Sequence, residues 1–84
     1  MRKHYHTILK SCFHSNLVRT RKANALTQSQ MAELLAMDDR SYIELDHGRN
    51  CCSATTLALY LIYCCHDPWD FLGELKDAIE TFPH

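Results

Sequence analysis

Five cysteines and six histidines are the residues of this 84-residue chain best suited to chemistry. Cys51-Cys52 and Cys64-Cys65 lie 12–14 residues apart, with His66 beside the second pair. Zinc fingers split their paired cysteines by two to four residues, and neither pair here is split. If a helix joins the pairs, they stand about 18 Å apart at 1.5 Å rise per residue, too far for one metal to bridge. Three readings stay open: a metal site, a redox switch, and thiols that fill helix and loop positions. The spacing favours the third, and no metal ligands are assigned. His4, His6 and His14 share the N-terminal segment, with His6 and His14 two helical turns apart, and are read as solvated. No Ser-His-Asp or Cys-His arrangement and no Gly-rich phosphate loop is visible. One small core leaves little room for a pocket, so neither an enzyme nor a cofactor is expected.

The charges are unevenly spread. Residues 1–24 hold six of the nine basic residues and no acid. Residues 25–84 hold all ten acids against three bases. Separation of this kind marks two different faces. The formal net charge of −1 argues against a polycationic nucleic-acid binder. The apolar fraction of 46% argues against disorder. The longest apolar run, Leu57 to Cys65, is half of a membrane span. No apolar leader follows the basic N-terminus, so a cytoplasmic protein with reduced thiols is expected.

The elements that must position these groups all read as helices, in a single domain over 1–84. Leu9, Cys12, Phe13, Leu17 and Val18 predict an amphipathic helix over 5–24, closed by Asn24 in the left-handed conformation. Thr27 and Gln30 form a capping box for a short second helix with Met31, Ala32, Leu34 and Leu35 on its apolar side. Asp38 or Asp39 opens a third helix, with Tyr42 and Leu45 inward and Gly48 as its stop. A fourth runs from Ser53 to about Cys65, burying Leu57, Leu61, Ile62 and Cys65. Asp67, Pro68 and Asp70 start a fifth over 68–82. Its stripe is Trp69, Leu72, Leu75, Ile79 and Phe82. Trp69 and Leu72 are read as core. Ile79 and Phe82 lie beyond what four helices need and are offered as a homodimer surface. Residues 1–12 are either a phosphate-binding arm or an exposed extension.

The stretch Leu26 to Asn50, LTQSQMAELLAMDDRSYIELDHGRN, holds two short helices around Ala36-Met37-Asp38, the spacing of a helix-turn-helix. It resembles the phage-repressor (Cro/XRE-type) family at Leu26, Thr27, Gln28, Ala32, Ala36, Met37, Asp46 and Gly48. The likeness spans about residues 13–72. It implies an all-α, lambda-repressor-like five-helix domain and a sequence-specific DNA-binding transcriptional regulator. Such a regulator sets its third helix in the major groove of double-stranded DNA, usually as a dimer. By position, Gln28 would touch a phosphate, and Arg49 and Asn50 would do so after the third helix. Asp39, Arg40 and Glu44 would reach base edges, with Ile43 an exposed apolar residue among them. Arg21 would pair with Asp46, and Arg40 could alternatively pair with Glu44 four residues on. Ala25 and Ala36 stand where the family often has Gly.

Asp38, Asp39, Glu44 and Asp46 outnumber Arg40 on the third helix, and carboxylates repel phosphates. A second function therefore stands beside the first: a protein-interaction module on the same fold, binding a basic or apolar partner. A thiol-responsive repressor is a third.

Overall fold

Four side chains decide where the short helices begin. In the computed structural model, which describes residues 2–81 with side chains from His4 onward, Thr27, Asp38, Ser53 and Asp67 each precede a helix. The Thr27 oxygen accepts from the Gln30 amide, and the Gln30 side chain accepts from the Thr27 amide at 2.8 Å. Asp38 accepts from the Ser41 amide and hydroxyl, Ser53 from the Thr56 amide, and Asp67 from the Trp69 and Asp70 amides. Each bond satisfies helix-end donors that have no partner within the helix. The resulting elements are α1 (Arg2–Ala23), α2 (Gln28–Leu34), α3 (Asp39–Asp46), α4 (Ala54–Leu59), and α5 (Pro68–Thr81). A π-helical turn, Tyr60–Cys64, extends α4. The described residues are all-α, with no strand among them. No helix among them is long and apolar enough to cross a membrane.

Three helices end alike. Leu26, Met37 and Arg49 donate their amides back to Arg21, Ala32 and Glu44. Ala25, Ala36 and Gly48 do so to Lys22, Glu33 and Leu45. These are Schellman endings, and each needs a left-handed residue. The φ angles are 54° at Ala25, 54° at Ala36 and 73° at Gly48. Ala25, not Asn24, takes the left-handed conformation; Asn24 instead donates from its side chain to the Thr20 carbonyl at 2.8 Å.

The core joins Phe13 and Leu17 of α1, Met31, Ala32 and Leu35, Tyr42 and Leu45 of α3, Tyr60, and Phe71 of α5. Ala32 is buried where α2 and α3 pack, and a larger side chain there would force them apart. Tyr60 makes edge-on contacts with Phe13 at 5.2 Å and Phe71 at 6.4 Å between ring centroids, the geometry that aromatic quadrupoles favour. Its hydroxyl donates to Asn16 and accepts from Thr20. Burial pushes the Tyr60 phenol up to about 12.

Several sequence expectations are corrected. The fifth helix turns Phe71 and Leu75 inward, leaving Trp69 81% exposed and Leu72 exposed. The cause is the aromatic slot beside Tyr60, which Phe71 fills. Ile62 and Tyr63 face solvent, because the π turn carries the Cys65 amide to the Tyr60 carbonyl at 2.8 Å and rotates the following residues. Leu34 is exposed. The N-terminal extension is part of α1, which begins at Arg2: residues 4–7 are exposed, as one of the two readings had it, Ile8 is buried, and further along α5 packs against α1. Arg19 and Asn16 both reach Glu74 across that contact. Ile79 is half-buried within its own chain, and Phe82 lies outside the described residues.

The helix endings carry a test. Ala25→Gly and Ala36→Gly should each stabilise the protein by about 0.5–1 kcal/mol, since glycine takes positive φ without the Cβ clash. Gly48→Ala should destabilise, because its Cβ would also stand 3.1–3.2 Å from the His14 ring. Urea midpoints read by circular dichroism check both signs.

Candidate nucleic-acid interface

A buried carboxylate organises this region. Asp46, the last residue of α3, is 7% exposed. Arg21 grips it with two bonds, Nε to Oδ1 at 2.9 Å and Nη2 to Oδ2 at 3.2 Å. Tyr42 donates its hydroxyl to Oδ1 at 2.8 Å, and Gln28 its amide to Oδ2 at 3.1 Å. Arg21 also donates to the Leu26 carbonyl at 3.3 Å, so one guanidinium ties α1, the α1–α2 turn and α3. His14 Nε2 donates to the Asp46 backbone carbonyl at 2.9 Å. Burial alone would raise the Asp46 carboxyl, but the bonds from Arg21, Gln28 and Tyr42 outweigh it and hold the group below its ordinary value. Tyr42 is driven far up, first by burial and then by its bond to that carboxylate.

The expected Arg21–Asp46 pair is thus present, and Gln28 belongs to the same cluster. With an amide donor committed to Asp46, Gln28 is a brace between α2 and α3 before it is a phosphate contact. His14 was read as solvated, yet it is half-buried and bonded. Its position seven residues before Arg21 puts both on one face of α1, a signal open to sequence reasoning once Asp46 is taken as their shared target.

The outward flank of α3 carries the remaining expected residues. Asp39 accepts from the Ser29 hydroxyl at 3.0 and 3.2 Å, which braces the start of α3 against α2. Glu44 pairs with Arg49 at 2.9 Å, not with Arg40. That pair is surface-exposed and contributes little to stability. Arg40 is exposed and forms no ion pair among the described residues. Asn50 is exposed. Ile43 is half-buried rather than exposed. Arg40, Ser41, Glu44, Asn50, Ser53 and Thr56 border an open cleft of about 350 Å³ between α3 and the start of α4. The cleft offers a guanidinium, an amide and hydroxyls, groups that bond to base edges and phosphates. Among the described residues no three His, Cys, Asp or Glu side chains lie close enough to hold a metal ion.

No family model, curated protein or solved structure matches this chain.

Replacing Asp46 by Asn leaves Arg21 without its counter-charge in a half-buried site. The expected loss is about 3 kcal/mol, measured by chemical denaturation at neutral pH. The folded Asp46 carboxyl lies below its unfolded value, near 3.9. Its contribution is therefore complete above that value and is lost as pH falls through the folded one. The stability gap between wild type and Asp46→Asn should narrow on acidification below pH about 4.

Proposed function

We propose that this chain is a sequence-specific DNA-binding transcriptional regulator of the phage-repressor type, with a lambda-repressor-like fold. The observation that carries the reading is the uncovered flank of α3, on which Arg40 stands exposed while α2 braces the helix from behind. The acids of α3 are largely engaged: Asp38 caps the helix, Asp39 holds Ser29, Glu44 holds Arg49, and Asp46 is buried. Arg40 then reads guanine through O6 and N7, with Arg49 and Asn50 toward phosphates.

Self-association through α5 belongs to the same proposal, centred on the N-terminal half of the helix rather than on Ile79 and Phe82. Gly73 costs about 1 kcal/mol in a helix relative to Ala, and a Cβ built there would touch nothing within 4 Å. It lies beside exposed Trp69 and Leu72, where a second copy's helix can approach closely.

Selection from a random duplex library tests the reading. An enriched sequence bound more tightly than about 10⁻⁶ M at physiological salt is expected; every duplex weaker than about 10⁻⁴ M would refute it. Arg40→Ala should cost about 1–3 kcal/mol on the enriched duplex and relax its preference at one position. Trp69→Glu should leave the fold intact and shift the protein to monomer in sedimentation.

The second reading, a protein-interaction module, draws on the two carboxylates Asp38 and Asp39 exposed beside Arg40. Capture of a basic partner that survives nuclease treatment would favour it.

A further inference from the structure

Away from α3, two hollows adjoin along the C-terminal half of α1. Thr20 and Asn24, one helical turn apart, border both. Cys64 borders the first and Cys65 the second. The first, about 320 Å³, gathers large apolar side chains: Met31 is buried, Leu26 is half-buried, and Leu34 and Tyr63 are exposed. The second, about 240 Å³, gathers charged and ionisable ones: Arg19, His66, Asp67 and Asp70. Among the described residues none of α3 borders either hollow.

The apolar end is unfinished. Leu34 and Tyr63 stand in water beside a hollow that their neighbours do not fill, and apolar surface rimmed by polar groups marks binding grooves. Tyr63 belongs to the π turn, a rare irregularity that recurs at functional sites.

The charges at the other end do not cancel. Arg19 is spent on Glu74, at 3.1 Å to each carboxylate oxygen. Asn16 is spent too, donating to Glu74 and accepting from Tyr60. Asp67 accepts the Trp69 and Asp70 amides through Oδ1 alone. Asp70 has no ion-pair partner among the described residues. Two carboxylates therefore border the second hollow without a matching cation.

We propose that the paired hollows bind a small organic ammonium ion that carries an aromatic ring, an arylalkylamine. The ring packs between Leu34 and Tyr63 over the Met31 thioether, a contact that suits aromatic edges. The ammonium has three donors and no acceptor, and it takes the Asp67 and Asp70 carboxylates. From Thr20 to Asn24 is about 6 Å at 1.5 Å rise per residue, a span that a short alkyl linker covers. An aryl carboxylate of the same length meets two like charges, and an alkylamine without a ring leaves Leu34 and Tyr63 in water. The site goes beyond the DNA reading and does not depend on it.

Titration of the isotope-labelled whole chain with phenethylamine at neutral pH, without DNA, tests the site by amide shifts. The shifts should saturate with a dissociation constant near or below about 1 mM, the range open to so small a ligand. They should centre on Thr20, Asn24, Leu34, Tyr63 and Asp70. Hydrocinnamate, with the opposite charge, and propylamine, with no ring, should each bind at least about tenfold more weakly. The double variant Asp67→Asn/Asp70→Asn keeps a good N-cap. That variant and, separately, Leu34→Gln should each weaken phenethylamine by at least about threefold. Circular dichroism confirms that each variant folds; should one unfold, the wild-type shift map and the two control ligands decide. No saturation by about 10 mM, shifts centred elsewhere, equal binding of either control, or unchanged affinity in either folded variant overturns the proposal.

Discussion

Burying an ionised carboxylate is expensive unless every lone pair finds a donor. Asp46 imposes that constraint on the whole N-terminal half of the molecule. Its donors come from α1, α2 and α3, so its ionisation requires all three helices in place at once. Arg21 supplies both charge and a planar fork that matches the carboxylate. The Asp46 main chain is held too, by His14, against which Gly48 leaves no room for a side chain. The end of α3 is thereby fixed in direction as well as position. Binding at this flank, as proposed above, would gain from this rigidity, since it would order little more.

The C-terminal half is held differently. Phe13, Tyr60 and Phe71 interlock as rings, and the polar atoms among them are internally satisfied, with no buried side-chain N or O left unpartnered among the described residues. Here α1 serves both halves, carrying Arg21 toward Asp46 and Phe13 toward Tyr60. Both roles fall in the C-terminal half of the helix, with Phe13 buried and Arg21 committed to Asp46 two turns on.

Features decided by one or two adjacent side chains were legible in the sequence. Thr27 with Gln30, Ser53, Asp67 and Gly48 each mark a helix end by local hydrogen bonding or backbone freedom, without tertiary context. The start of α3 was open between two aspartates, and Asp38 takes it because Ser41 lies within reach. The face of α5 was not legible. Both Trp69–Leu72–Leu75 and Phe71–Leu75 satisfy helical spacing, and only the ring slot beside Tyr60, distant in sequence, chooses between them. The π turn has no residue signature either, so the outward swing of Ile62 could not be read. Around the candidate interface, the family likeness supplied Arg21 with Asp46. The sharing of Asp46 with Gln28 and Tyr42 and the pairing of Glu44 with Arg49 depend on side-chain directions that spacing alone leaves free.

The single tryptophan of the chain, Trp69, sits almost wholly in water at the start of α5. Its indole meets nearly the same surroundings in the native and the unfolded chain. Emission colour is therefore a blind gauge of unfolding for this protein and a sensitive one of whatever comes to rest on α5. The molecule carries a built-in optical label for association, placed where its own folding hardly disturbs the signal.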